Sequence, residues 1–126
     1  MTPRILVSND DGIHAKGLLA LVKAMEPLGE LWVVAPLHEQ SATSHSLSLH
    51  DPLRIRQVAE RQFAIDGTPA DCVYIAINHL MKAARPTLVV SGINHGPNLA
   101  DDMIYSDTVA AAMQGAILGV PAVAFS

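Results

Sequence analysis

At 126 residues the chain has the length of one ordinary domain. Half of it is apolar and 16% is charged, which excludes a disordered chain; with aromatics at 4%, the core must be aliphatic. The net charge of −4 and the lack of a Lys/Arg cluster argue against a nucleic-acid groove. The single cysteine, Cys72, excludes an internal disulfide and suits a reducing compartment.

Residues 4–9 read as a buried strand. The strand begins so close to Met1 that no signal peptide is expected. No apolar run approaches membrane-spanning length, so the expectation is a cytoplasmic protein without membrane contact. The strand ends in Asn9-Asp10-Asp11-Gly12. Two adjacent carboxylates repel each other, and a divalent cation relieves that repulsion. An ordinary turn uses the same residue types, so this segment alone leaves both readings open.

Gly17 to Pro27 carries Leu18, Leu19, Leu21, Val22 and Met25 at helical spacing, closed by Pro27 and Gly29, and Leu31 to Ala35 is a second buried strand stopped by Pro36. Together they form a βαβ unit with parallel strands and an expected right-handed crossover. Residues 37–44 lack periodicity and read as a loop. Leu47/Leu49, Leu53/Ile55 and Phe63/Ile65 then alternate with polar residues, predicting a short antiparallel excursion over residues 44–66.

Thr68-Pro69-Ala70-Asp71 is a helix start, with Thr at the N-cap, Pro at N1 and Asp in the first turn; this helix should run to just before Pro86. Thr87 to Val90 is a third parallel strand leading into Ser91-Gly92-Ile93-Asn94, and a polar loop follows to Tyr105. Ser106 to Leu118 is a helix closed by Gly119 and Pro121, and residues 122–126 are a last strand. The pattern predicts one Rossmann-like α/β domain over residues 1–126, a mostly parallel sheet flanked by helices.

In such a sheet, strands 31–35 and 87–91 can lie on opposite sides of strand 4–9, and a crevice opens between strands 4–9 and 87–91. Asp10 and Asp11 line one lip and Asn94 the other, with Gln40, Ser41 and Thr43 on a flanking loop. These are hard oxygen donors, suited to magnesium, manganese or calcium rather than zinc or copper. The six histidines show no metal-ligand spacing; His14, His45 and His95 lie near the proposed site without an assignable proton. There is neither a P-loop nor a GxGxxG turn after the first strand. Ser106-Asp107-Thr108 opens a helix, where anions bind readily, although plain N-capping by Ser106 explains the same residues.

Five segments occur in a recognisable order: Asn9-Asp10-Asp11-Gly12; Ala35-Pro36 with Gln40-Ser41-Ala42 and Ser46-Leu47; Gly67-Thr68-Pro69-Ala70-Asp71-Cys72-Val73; Ser91-Gly92-Ile93-Asn94 with Gly96-Pro97-Asn98-Leu99; and Tyr105-Ser106 with Thr108-Val109-Ala110-Ala111-Ala112. Over nearly its whole length the chain resembles the amino-terminal half of the SurE family, stationary-phase survival proteins that are metal-dependent nucleotidases. The resemblance implies a 5'-nucleotidase-type phosphomonoesterase acting on nucleoside monophosphates with one Mg2+ or Mn2+ per subunit, Ca2+ being a further candidate. It places metal ligands at Asp10, Asp11, Ser41 and Asn94, catalytic roles at Asp10, Asp11 and Asn9, and phosphate contacts at Asn98, Ser106 and Thr108; Asn9 and Gly92 would support these loops. The implied chemistry is activation of a water and compensation of charge on the phosphoryl group.

Three departures stand out. The family pattern has Gly where this chain has Asp107, and usually an acid where it has Gln114. Family members are also about twice as long, so the chain looks like a truncated or engineered half. The rival readings are a non-catalytic half-domain that folds and self-associates, and a receiver-type phosphoacceptor domain. The latter would need an acceptor Asp after the third parallel strand and a Lys after the last. With three clear helices to cover two sheet faces and the last strand at an edge, a homodimer or higher oligomer is expected through residues 44–65 or 120–126.

Overall fold

The computed structural model describes residues 2–38, 53–93, 111–112 and 114–125. In chain order the elements are β1 (Arg4–Ser8), α1 (Lys16–Met25) closed by a 3₁₀ turn (Glu26–Leu28), β2 (Glu30–Pro36), β3 (Ile55–Ala59), β4 (Gln62–Ile65), α2 (Pro69–Ile75) continued by a π turn (Ala76–Leu80), β5 (Leu88–Ser91) and β6 (Ala122–Ala124). Residues 111–112 and 114–117 are helical, within the last predicted helix. The six strands form one sheet in the order β3-β4-β2-β1-β5-β6. Every neighbouring pair is parallel except β3–β4.

The α/β class and the mostly parallel sheet follow the sequence expectation. The predicted antiparallel excursion is present as the β3–β4 hairpin, but it is joined to the main sheet, because β4 pairs in parallel with β2. Side-chain packing supports that pairing. Trp32 and Phe63 stack with ring centroids 6.2 Å apart and planes 8° from parallel. The Val33 N–H donates to the Arg61 carbonyl at 2.8 Å. Residues 44–52 of the expected excursion lie outside the described residues.

Alternate residues of β1 serve opposite faces, as the two-residue strand period requires. Ile5 and Val7 pack with Leu18 and Leu21 of α1. Leu6 packs with Cys72, Val73 and Ile77 on the other face. Burying each large aliphatic side chain contributes about 1.5–3 kcal/mol, so α1 and α2 are held by the sheet faces they cover.

Helix α2 starts as its sequence predicts. The Thr68 hydroxyl accepts from the Asp71 N–H at 3.1 Å, and the Asp71 carboxylate accepts from the Thr68 N–H at 2.8 Å. The helix does not continue as a plain α-helix towards Pro86. From Ala76 it widens into a π turn, and the Met81 N–H reaches back to the Ala76 carbonyl at 2.7 Å. Its buried residues Val73, Ile77 and Met81 are four apart. In an α-helix each such step overshoots a full turn by about 40°. The wider turn takes part of that rotation back and keeps all three on the sheet. Burial, with the Asp71 carboxylate adding to it, pushes the Cys72 thiol well above its ordinary pKa, so Cys72 is a core residue held as the neutral thiol. No helix among the described residues is long and apolar enough to cross a membrane.

Candidate functional site

Strand β1 lies between β2 and β5. The chain leaves β1 through α1 to β2 on one side and later enters β5 on the other, so the β1/β5 boundary is a switch point where loops diverge. In the β1–β5 register Ser8 lies opposite Ser91. Asn9 and Gly92 are therefore the first residues beyond the paired strands, where the sequence argument puts the crevice.

The loop after β1 is a tight, pinned turn. The buried Asn9 side chain donates from Nδ2 to the Gly12 carbonyl at 2.9 Å, and its Oδ1 accepts from the Gly12 N–H at 3.2 Å. Gly12 has φ of +113°, a region glycine enters without steric cost. The Ile13 N–H then donates to the Pro36 carbonyl at 2.9 Å, which ties the turn to the end of β2. Asp10 and Asp11 are carried on this frame. Asp10 is fully buried, whereas Asp11 is partly exposed.

The burial of Asp10 departs from a plain surface turn. A surface turn leaves its carboxylates in water; burying one is costly unless charge or hydrogen bonds compensate it. One buried and one half-exposed carboxylate on adjacent residues form a hard-oxygen donor pair that suits a divalent cation. The described residues supply only this pair, and among them no group of three or more His, Cys, Asp or Glu is placed to hold a metal.

Residues 91–93, at the end of β5, are fixed from three sides. The Gly92 N–H donates to the Ser8 carbonyl at 3.0 Å, and the Phe125 N–H donates to the Ser91 carbonyl at 2.8 Å. Gly92 has φ of +139°, and a Cβ there would run into the Phe125 carbonyl oxygen. On the far side, the first turn of α1 approaches so closely that a Cβ on Gly17 would come 2.5 Å from the Ile93 carbonyl oxygen.

Of the sequence-predicted site residues, the structure places Asn9, Asp10 and Asp11 at one loop and Gly92 beside it. Ser41, Asn94, Asn98, Ser106, Asp107 and Thr108 lie outside the described residues, as do Gln40, Thr43, His45 and His95. His14 is exposed and Gln114 is buried. Sequence reasoning passed over Ser8 and Ser91, both fully buried at the ends of the two strands flanking the crevice. Their signal was a polar residue closing an otherwise apolar strand. A separate cavity of about 290 Å³, lined by Val22, Glu26, Leu31 and Arg61 among others, lies at the opposite end of β2, away from the acidic pair.

Comparison with known proteins identifies the family and the shared fold. Residues 5–126 match the family described as Survival protein SurE. The 5'-nucleotidase SurE of Myxococcus xanthus is 72% identical over 123 residues, covering 98% of this chain and 47% of that protein. The 5'-nucleotidase SurE of Methylorubrum populi is 57% identical over 124 residues, covering 98% of this chain and 49% of its own length. The crystal structure of the SurE protein from Aquifex aeolicus shares the fold with a TM-score of 0.90 at 44% identity, over 98% of this chain and 52% of that one. The chain thus spans about half the length of the curated relatives it matches. With the family match covering nearly every residue and the fold shared throughout, the chain belongs to the SurE family.

Proposed function

We propose that this chain carries the metal-binding core of a phosphoesterase-type hydrolase, acting on nucleoside 5'-monophosphates or related phosphomonoesters. The observation that carries the reading is the buried Asp10 beside Asp11 on a pinned loop at the β1/β5 switch point. The relatives named as 5'-nucleotidases support the substrate class.

In this reading Asp10 and Asp11 hold one Mg2+ or Mn2+, and Ser41 and Asn94 complete the oxygen donors. A cation there would neutralise the carboxylate pair and offset charge developing on the phosphoryl oxygens. Asn9 keeps the acidic turn in one conformation, so that little reorganisation is needed when substrate arrives. Asn98, Ser106 and Thr108 contact the phosphate through amide and hydroxyl groups.

The half-length span favours a second reading, in which the chain folds and binds a cation but turns nothing over. The receiver-type reading is displaced by the family match and by β5 ending in Ser91-Gly92-Ile93, with no acceptor aspartate there.

The 126-residue chain should release phosphate from a nucleoside 5'-monophosphate with Mn2+ and stop in a chelator. Asp10→Asn should lower that rate about 100-fold or more. Turnover that survives both chelation and Asp10→Asn would remove the site. Mn2+ binding without turnover would select the non-catalytic reading.

Asp107 bears on the strength of this site. It lies between two proposed phosphate contacts in the sequence, and two like charges about 4 Å apart repel by about 4 kcal/mol at an effective dielectric of 20. The benefit of a carboxylate to a helix's first turn is only about 0.3–1 kcal/mol. Asp107→Gly should therefore tighten phosphate binding about tenfold after solvent and metal screening. Unchanged affinity by calorimetry would show that Asp107 does not face the phosphate.

Self-association completes the proposal. β3 and β6 are the edges of the described sheet, and Ile55 and Val58 on β3, with Val123 and Phe125 at β6, expose apolar side chains. Sedimentation should show a homodimer or a larger species; a clean monomer at high concentration would contradict this.

A further inference from the structure

Ser8 and Ser91 differ from Asn9, Thr68 and Asp71 among the buried polar side chains. Asn9, Thr68 and Asp71 are hydrogen-bonded within their own turns. The hydroxyls of Ser8 and Ser91 are fully buried, and neither has a hydrogen-bond partner among the described residues. A buried hydroxyl left in that state lowers the folding equilibrium constant roughly 5- to 150-fold. Two of them side by side could share one partner.

The geometry of the sheet identifies its size. Ser8 and Ser91 are register partners in neighbouring parallel strands. Each lies two residues beyond a member of the same core cluster, Leu6 on β1 and Val89 on β5, so both side chains point to the α2 side of the sheet. Parallel neighbours are about 4.8 Å apart, and the two hydroxyls are not bonded to each other. A water making two bonds of about 2.8 Å at a tetrahedral angle spans about 4.6 Å. Buried waters are typically held by two to four polar groups.

We propose that the Ser8 and Ser91 hydroxyls hold one ordered water at the floor of the β1–β5 crevice, and that both serines are positioning residues for the acidic turn. The two serines close the strands from which both crevice loops depart. Ser8 immediately precedes Asn9-Asp10-Asp11, and Ser91 precedes Gly92, whose N–H already bonds to the Ser8 carbonyl. A water fixed by both hydroxyls locks the two strand ends together on their side-chain face, as the Gly92 bond does along the backbone. It also keeps bonding capacity directed at the turn that follows Ser8. The positioning role rests on the metal-site reading under Proposed function; the water itself does not.

Three measurements on the full chain test this. A crystal structure that shows ordered waters should place one within hydrogen-bond distance of both hydroxyl oxygens; a protein group bonded there instead overturns the proposal. In urea unfolding, Ser8→Ala and Ser91→Ala should each lower the folding equilibrium constant about 5- to 10-fold, and the double variant should lose less than the product, because both act through one water. If either alanine raises stability, the hydroxyls were simply unsatisfied and there is no bound water; if the losses multiply, there is no shared one. Calorimetry should then show Mn2+ binding about tenfold weaker in the double variant, as loss of supporting groups around a metal ligand does. Equal Mn2+ affinity in a double variant that unfolds as expected would overturn the positioning role. If the unmutated chain binds no Mn2+, the metal reading and the positioning role fall together, while the unfolding data still decide the water.

Discussion

Asp10 is fully buried at the carboxyl end of a central strand, and a carboxylate in that position costs several kcal/mol unless its surroundings compensate it. The turn that carries it is held in place by its neighbours. Asn9 and Gly12 lock the turn through reciprocal hydrogen bonds, and Ile13 anchors it to the end of β2. The βαβ unit that precedes β3 therefore does more than cover one sheet face with α1. It fixes the direction in which the acidic pair leaves the sheet.

The opposite lip depends on close backbone approach. Gly92 lies against the Phe125 carbonyl and Gly17 against the Ile93 carbonyl, and at both places a side chain would force the backbone apart. Residues 91–93 are thus gripped between α1 and the segment following β6. The strand order reverses between β1 and β5, where a crevice is expected, and these contacts fix the strand ends beside it.

Much of this was legible in the sequence because the signals were local. Apolar runs closed by Asn9-Asp10, Pro36 and Ser91-Gly92 marked the central strands, and Thr68-Pro69-Ala70-Asp71 marked a helix start whose two capping bonds are both made. Partner choice was less legible. Alternation at Phe63 and Ile65 identifies a strand and its faces but carries no information on β4 pairing with β2; Trp32, distant in sequence, helps fix that. The π turn escaped for a related reason, since a four-residue apolar spacing fits a helix until its accumulated rotation is counted. Asn-Asp-Asp-Gly has the same composition whether its carboxylates face water or the interior, so the burial of Asp10 had to come from the fold. The closing oxygen ligands, Ser41 and Asn94, rest on resemblance, because they lie outside the described residues.

The proposed metal site is the acidic turn at the β1/β5 switch point. Anomalous diffraction from crystals of this chain grown with Mn2+ tests it most directly. A metal held by this turn gives a peak about 2–2.5 Å from carboxylate oxygens of both Asp10 and Asp11. A peak confined to other carboxylates, such as Glu26 and Glu60 at the far end of the sheet, or no peak at saturating Mn2+, would contradict it.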